Sequence, residues 1–206
     1  HWHVAQQIVA RHPNSLSRRW NRQIRTAPAK ITSRGKTRPM TTPNTQPYPE
    51  ERRLATILFA DVQGFTTLSD HMDFEDIGDL MKDVWSLVDK AIEAHGGYID
   101  KHIGDAVMAV WGAPYAKEDD AERAVSAALT LQDALGDFTT NSSREGAHEL
   151  RMRVGINTGQ VLASYVGARG EYTVLGDTVN IASRLETTAE PGTVVIGEST
   201  YRLVRG

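Results

Sequence analysis

The apolar positions of this chain fall into short runs and longer stripes, the two patterns that separate strands from helices. Leu54-Ala55-Thr56-Ile57-Leu58-Phe59-Ala60 is a nearly continuous apolar run, suited to a buried strand. Ile77, Leu80, Met81, Val84, Leu87, Val88, Ala91 and Ile92 then recur at helical spacing. They predict a helix from an N-cap at Asp73 to about Ala94, with acids in its first turn and His95-Gly96-Gly97 as its stop. Tyr98–Ile103 and Ala106–Trp111 read as two strands about a tight turn at Gly104-Asp105. Ala121, Ala124, Val125, Ala128, Leu129, Leu131 and Leu135 mark a second amphipathic helix from Glu118 to Leu135, and Thr139–Ala147 reads as a loop. Leu150–Asn157 and Gln160–Val166 read as an antiparallel pair about Thr158-Gly159. A strand at Tyr172–Leu175, a helix at Asp177–Thr187 with Asp177 as N-cap, and a strand at Thr193–Ile196 follow. The order predicts an α+β fold with a ferredoxin-like βαββαβ core, an antiparallel sheet and helices on one face.

Charge divides the chain more sharply than hydropathy does. The formal net charge is −3, yet residues 1–49 hold nine Lys or Arg and neither Asp nor Glu. Six of the eight prolines lie there too. Such a segment buries too little apolar surface to offset the entropy of ordering it, so residues 1–49 read as a disordered tail or linker and 50–206 as the folded domain. The tail's composition also suits a transit peptide or a basic arm for anionic partners. A linker accounts for it more simply, and no nucleic-acid partner is expected. The chain opens on His1, and Met40 stands just before the domain, so a fragment or a processed form is expected. The absence of cysteine excludes disulfides and thiolate metal sites and suits a reducing, cytoplasmic setting. No apolar run approaches the ~20 residues of a membrane span.

Three separated stretches carry the candidate chemistry. Phe59–Thr66 (FADVQGFT) sets an aspartate three residues before a glycine, and Asp100–Asp105 (DKHIGD) sets one beside a glycine, each where a strand ends. Hard divalent cations take oxygen ligands, and Mg²⁺ commonly uses one or two carboxylates together with substrate phosphates. Asp61 and Asp105 are therefore candidate ligands, and the backbone N–H groups of Gly64, Phe65 and Thr66 form a turn that suits phosphate oxygens. On these residues alone, ordinary Asp-Gly turn chemistry is an equal reading. His71, His95 and His102 lack ligand spacing and read as surface or turn residues, while Trp85 and Trp111 fit core packing.

The third stretch decides between the readings. Glu171–Glu186 (EYTVLGDTVNIASRLE), with FADVQGFT, DKHIGDAVMAVWGAP and RMRVGINTG in the same order, resembles the catalytic domain of class III nucleotidyl cyclases, the adenylate and guanylate cyclases. The resemblance covers about residues 52–206 and implies the class III cyclase fold. Asp61 and Asp105 match the two metal-binding aspartates, with the Val62 carbonyl completing one ion's shell. The implied cofactor is a pair of Mg²⁺ or Mn²⁺ ions. Lys101 and Thr173 match the pair that reads the purine. Asn180 and Arg184 match the residues that orient the ribose and stabilise charge on the reacting phosphate, and Arg153 matches a triphosphate contact. In the family the site lies between two subunits. The resemblance therefore implies a symmetric homodimer, with Asp61, Asp105 and Arg153 from one copy and Lys101, Thr173, Asn180 and Arg184 from the other.

Hydrogen-bond polarity selects the base. Lys101 only donates and the Thr173 hydroxyl can accept, which complements the N1 acceptor and amino donor of adenine. Guanine presents the reverse, so the reading is ATP. Thr173 stands where many adenylate cyclases carry Asp, a subgroup resembling the bicarbonate-responsive soluble cyclases, and bicarbonate is accordingly an expected activator. The segment Ala168–Glu171 is shorter than in many bacterial relatives. Relatives also continue beyond Gly206 through another strand pair, so C-terminal strands are expected to be missing. A catalytically silent, cyclase-like dimerisation or regulatory module is the alternative, opposed by the presence of Asp61, Asp105, Lys101, Asn180 and Arg184. A diguanylate-cyclase-like or polymerase-like enzyme finds no matching motif.

Overall fold

The apolar run at 54–60 becomes the middle of a central strand covered on both faces, which is why it needs no polar face. The computed structural model describes residues 6–8, 50–63, 73–143, 146–147, 150–166 and 171–205. Within them the elements are β1 (Gln6–Ile8), β2 (Glu51–Gln63), α1 (Phe74–Ala94), β3 (Tyr98–Ile103), β4 (Ala106–Trp111) and α2 (Asp120–Asn141). They continue as β5 (Arg151–Val166), β6 (Glu171–Leu175), α3 (Asp177–Thr188), β7 (Val194–Ile196) and α4 (Glu198–Val204). The sheet runs β1-β7-β5-β2-β4-β3, with β6 paired to β5. Its centre, β5-β2-β4-β3 with α1 and α2, is the expected βαββαβ core. All its pairings are antiparallel except β5 with β7.

Alternation along the strands builds two cores. Leu58, Ala60 and Val62 of β2, Val107, Ala109 and Trp111 of β4, and Val154 and Ile156 of β5 face α1 and α2. There they meet Leu80, Val84, Val88, Ile92, Ala124, Ala128 and Leu131, and each large aliphatic buried this way contributes about 1.5–3 kcal/mol. Trp111 is part of this core and donates its indole N–H to the His95 carbonyl at 3.0 Å. The other face of the sheet carries Ile57, Met108 and Val110, covered by Ala182 of α3 and by Val161, Ala163 and Val174 of the β5–β6 ribbon. The two long helices thus share one face as expected, while α3 and the ribbon lie on the other.

Several boundaries differ from the sequence reading. The hairpin expected about Thr158-Gly159 is a single strand: Thr158 and Gly159 pair straight through with Thr56 and Ala55. Gly159 serves a close approach instead of a turn, because a Cβ there would lie 2.6 Å from Thr178 Oγ1 of α3. The Thr158 hydroxyl meets those of Thr56 and Thr200 at 2.9 and 3.0 Å, so the buried run is internally satisfied. Asp177 is the first residue of α3 and Gly176 is its N-cap, at φ 137°, a conformation glycine adopts without strain. Asp73 does stand at the N-cap of α1, without a side-chain cap bond. The second helix begins at Asp120 and runs on to Asn141, through residues read as loop, with Phe138 still packed against the core. The helix α4 had no counterpart in the sequence pattern. Gln6–Ile8, from the segment read as tail, pairs antiparallel with β7. The rest of residues 1–49, as well as Gly64, Phe65, Thr66 and His71, lies outside the described residues.

Candidate active site

Asp61 is held at the end of β2, opposite Ala106 of β4 and Arg153 of β5. That register places the Asp61 carboxylate beside the turn carrying Asp105, whose carbonyl accepts the Val62 N–H at 2.9 Å. Arg153 Nη2 donates to Asp61 Oδ2 at 2.6 Å and lies 3.1 Å from Glu186 Oε1 of α3; the Gln63 amide also donates to Asp61. Both carboxylates are largely enclosed, with side chains 13% and 11% exposed. Burial pushes the Glu186 carboxyl above its ordinary range; Arg153 opposes the shift, and the charges of Asp61 and Asp105 add to it. One guanidinium therefore bridges two carboxylates, and the charge of a third, Asp105, also acts on Glu186.

That excess of negative charge fits divalent cations. Among the described residues no cluster of three or more His, Cys, Asp or Glu could enclose an ion by side chains alone. Asp61, Asp105 and the Val62 carbonyl instead offer a partial set of hard oxygen donors, which is what Mg²⁺ bound partly through substrate phosphates requires.

A second cluster forms where the β5–β6 ribbon folds across the sheet and brings β6 to β3. Lys101 Nζ lies 3.1 Å from Asp100 Oδ2 and 3.4 Å from Thr173 Oγ1, and the Thr173 hydroxyl donates to Asp100 Oδ2 at 3.0 Å. The rings of Tyr98 and Tyr172 meet edge-on nearby, with centroids 6.1 Å apart. The structure thus joins Lys101 to Thr173, two residues 72 positions apart in sequence. Asn180 and Arg184, one helical turn apart, are exposed on α3. Of the histidines, His95 caps the end of α1 and His102 lies 3.2 Å from Asp89.

Two residues of these clusters escaped the sequence reading. Glu186 had a usable signal: it follows Thr178 and Ala182 on the buried face of α3, where the period calls for an apolar side chain. Asp100 had none, since nothing in the sequence of β3 announces its burial.

Residues 48–206 match the family model described as the adenylate and guanylate cyclase catalytic domain. Adenylate cyclase 1 of Rhizobium meliloti is 39% identical over 137 residues, covering 66% of this chain and 21% of that protein. Retinal guanylyl cyclase 2 of Rattus norvegicus is 36% identical over 159 residues, covering 76% of this chain and 14% of that protein. The chain therefore spans about a fifth or less of the length of these two relatives. Among solved structures, the adenylyl cyclase CyaB from P. aeruginosa has a TM-score of 0.70 at 32% identity, over 77% of this chain and 83% of the other. The guanylyl cyclase Cya2 has a TM-score of 0.71 at 33% identity, over 75% and 79%. With the family model matched over most of its length and its fold shared with solved members, the chain belongs to the adenylate and guanylate cyclase catalytic domain family.

Proposed function

We propose that the chain is an adenylate cyclase catalytic domain, which converts ATP to 3′,5′-cyclic AMP and pyrophosphate at sites shared between two copies. The observation that carries the choice of ATP over GTP is the Lys101–Thr173 pair, a donor beside an acceptor at 3.4 Å. Relatives of both specificities match this chain, so the base-reading pair carries the choice. Asp61, Asp105 and the Val62 carbonyl would hold divalent cations. Mg²⁺ or Mn²⁺ held there would supply a lower pKa for the ribose 3′-hydroxyl and positive charge for the departing pyrophosphate.

The chain's own groups do the rest. Lys101 donates to adenine N1 and Thr173 accepts from the amino group, which fixes the base. Asn180 orients the ribose so that its 3′-oxygen faces the α-phosphorus in line, and this intramolecular positioning supplies much of the acceleration. Arg184 provides fixed positive charge where it is needed as the phosphorus is attacked. Arg153, which spans Asp61 and Glu186, lies at the metal side of the site and contacts the triphosphate. Gly64, Phe65 and Thr66 are expected from the sequence to offer backbone N–H groups to its oxygens.

The test is product formation from ATP and from GTP with Mn²⁺, where cyclic AMP is expected to dominate and chelation of the metal to abolish it. Preferential cyclic GMP formation would refute the reading, and no product from either nucleotide would favour the silent module. Lys101→Met is expected to lower kcat/KM for ATP by about 10- to 100-fold, the cost of losing one charged donor. GTP should be much less affected, because guanine offers that position no acceptor. The Lys101–Thr173 pairing also carries the expectation that bicarbonate, titrated at constant pH, raises the rate; a flat titration removes it. The domain is expected to work in the cytoplasm, and among the described residues no helix is long and apolar enough to cross a membrane.

A further inference from the structure

The register of β3 on β4 slips between Ile99 and Lys101: Ile99 faces Ala109 and Lys101 faces Met108, so Asp100 is the extra residue of a bulge. Adjacent residues of a regular strand point to opposite faces, whereas a bulge re-aims one of them. Here the carboxylate of Asp100 and the ammonium of Lys101 both reach Thr173. The Asp100 side chain is 1% exposed, while Lys101 remains 46% exposed. Asp100 Oδ1 has no hydrogen-bond partner among the described residues. A buried carboxylate with one oxygen unpaired is costly to stability, and an apolar residue would serve the fold better.

The donor and acceptor inventory shows what this arrangement does. Asp100 Oδ2 only accepts and Lys101 Nζ only donates. Between them, the single Thr173 proton is directed to Asp100, and the Thr173 oxygen faces Lys101 and any ligand as an acceptor. We propose that Asp100 is a positioning residue for base selection: its bulged, buried carboxylate takes the Thr173 proton and anchors Lys101, so the pair presents one fixed acceptor beside one fixed donor. The inference rests on the adenylate cyclase reading. It deepens that reading by naming the group that denies Thr173 the donor role guanine would need. Without the carboxylate, the Thr173 hydroxyl rotates freely and serves either base.

The experiment compares the 206-residue chain with its Asp100→Ala and Asp100→Asn variants, measuring kcat and KM for ATP and GTP with Mn²⁺. Purine riboside triphosphate, which keeps N1 and lacks the amino group, is a third substrate. Wild type should prefer ATP to purine riboside triphosphate by about tenfold or more, the worth of one hydrogen bond strengthened by a charge. Asp100→Ala should lower the ATP/GTP ratio of kcat/KM by about tenfold or more and narrow the gap between ATP and purine riboside triphosphate. Asp100→Asn, whose carbonyl oxygen can face the same two donors, should retain most of the selectivity. A merely structural role would lower kcat for every nucleotide and leave the ratios unchanged, and that result overturns the inference alone. Equal wild-type use of ATP and purine riboside triphosphate also overturns it, even if neither variant folds. Wild-type preference for GTP overturns it together with the adenylate reading.

Discussion

Mixing equal amounts of Asp61→Ala and Arg184→Ala protein is expected to restore cyclase activity to about a quarter of the wild-type value, although each variant alone should lose about a hundredfold or more. The individual losses follow from the chemistry assigned to each residue. In the proposed mechanism Asp61 supplies a carboxylate for the cations and Arg184 supplies charge fixed in place before reaction, where removal of one such group costs about 10²–10³-fold. The recovery follows from symmetry. If each site takes Asp61 from one copy and Arg184 from the other, a mixed dimer has one site with both defects and one with neither. Free exchange makes about half of the dimers mixed, and half of their sites are intact, which gives the quarter. The measurement is the rate of cyclic AMP formation after exchange or co-expression, against each variant at the same total concentration. A mixture as inactive as its components would mean that the catalytic set is assembled within one chain.

Gly155→Ala is expected to destabilise the fold by about 3 kcal/mol or more. Gly155 faces α3 from β5, and a Cβ there would overlap Glu186 N and Ala182 O and lie 2.7 Å from Glu186 Cα. These are backbone atoms, so no rotamer change relieves the overlap and the helix itself must move. For a chain of this size the cost corresponds to a fall in Tm of about 6–12 °C. The displacement also carries Glu186 away from Arg153, and shifts Asn180 and Arg184, which ride on the same helix. Activity should therefore fall further than stability alone requires. Gly136→Ala is the control: it lies in α2 with nothing within 4 Å of an added Cβ. That substitution is expected to stabilise by up to about 1 kcal/mol through helix propensity. A Gly155→Ala protein that melts with wild type would show that α3 does not sit this tightly on β5.

The sequence alone determined the elements whose period is strong, and it did so for local reasons. The stripe from Ile77 to Ile92 is helical because each residue meets its neighbours three and four positions away, and α1 ends where His95-Gly96-Gly97 ends the pattern. The strands Tyr98–Ile103 and Ala106–Trp111 emerge with the boundaries read from their composition. The long motifs were equally legible, because their residue identities and order mark the cyclase family without any contact being known. Apart from the Lys101–Thr173 pair, which the family resemblance implied, what sequence could not carry was set by approach between distant segments. Thr158-Gly159 has the composition of a turn, and only the nearness of Thr178 turns its glycine into clearance inside one long strand. The pairing of Arg153 with Glu186 depends on α3 crossing β5 at Gly155, and the burial of Asp100 depends on a bulge and on a ribbon folding across the sheet. Local sequence specifies torsions and periods, which act over a few residues. Which carboxylate meets which cation is decided by packing between residues as much as 92 positions apart, and here only the tertiary structure supplied it.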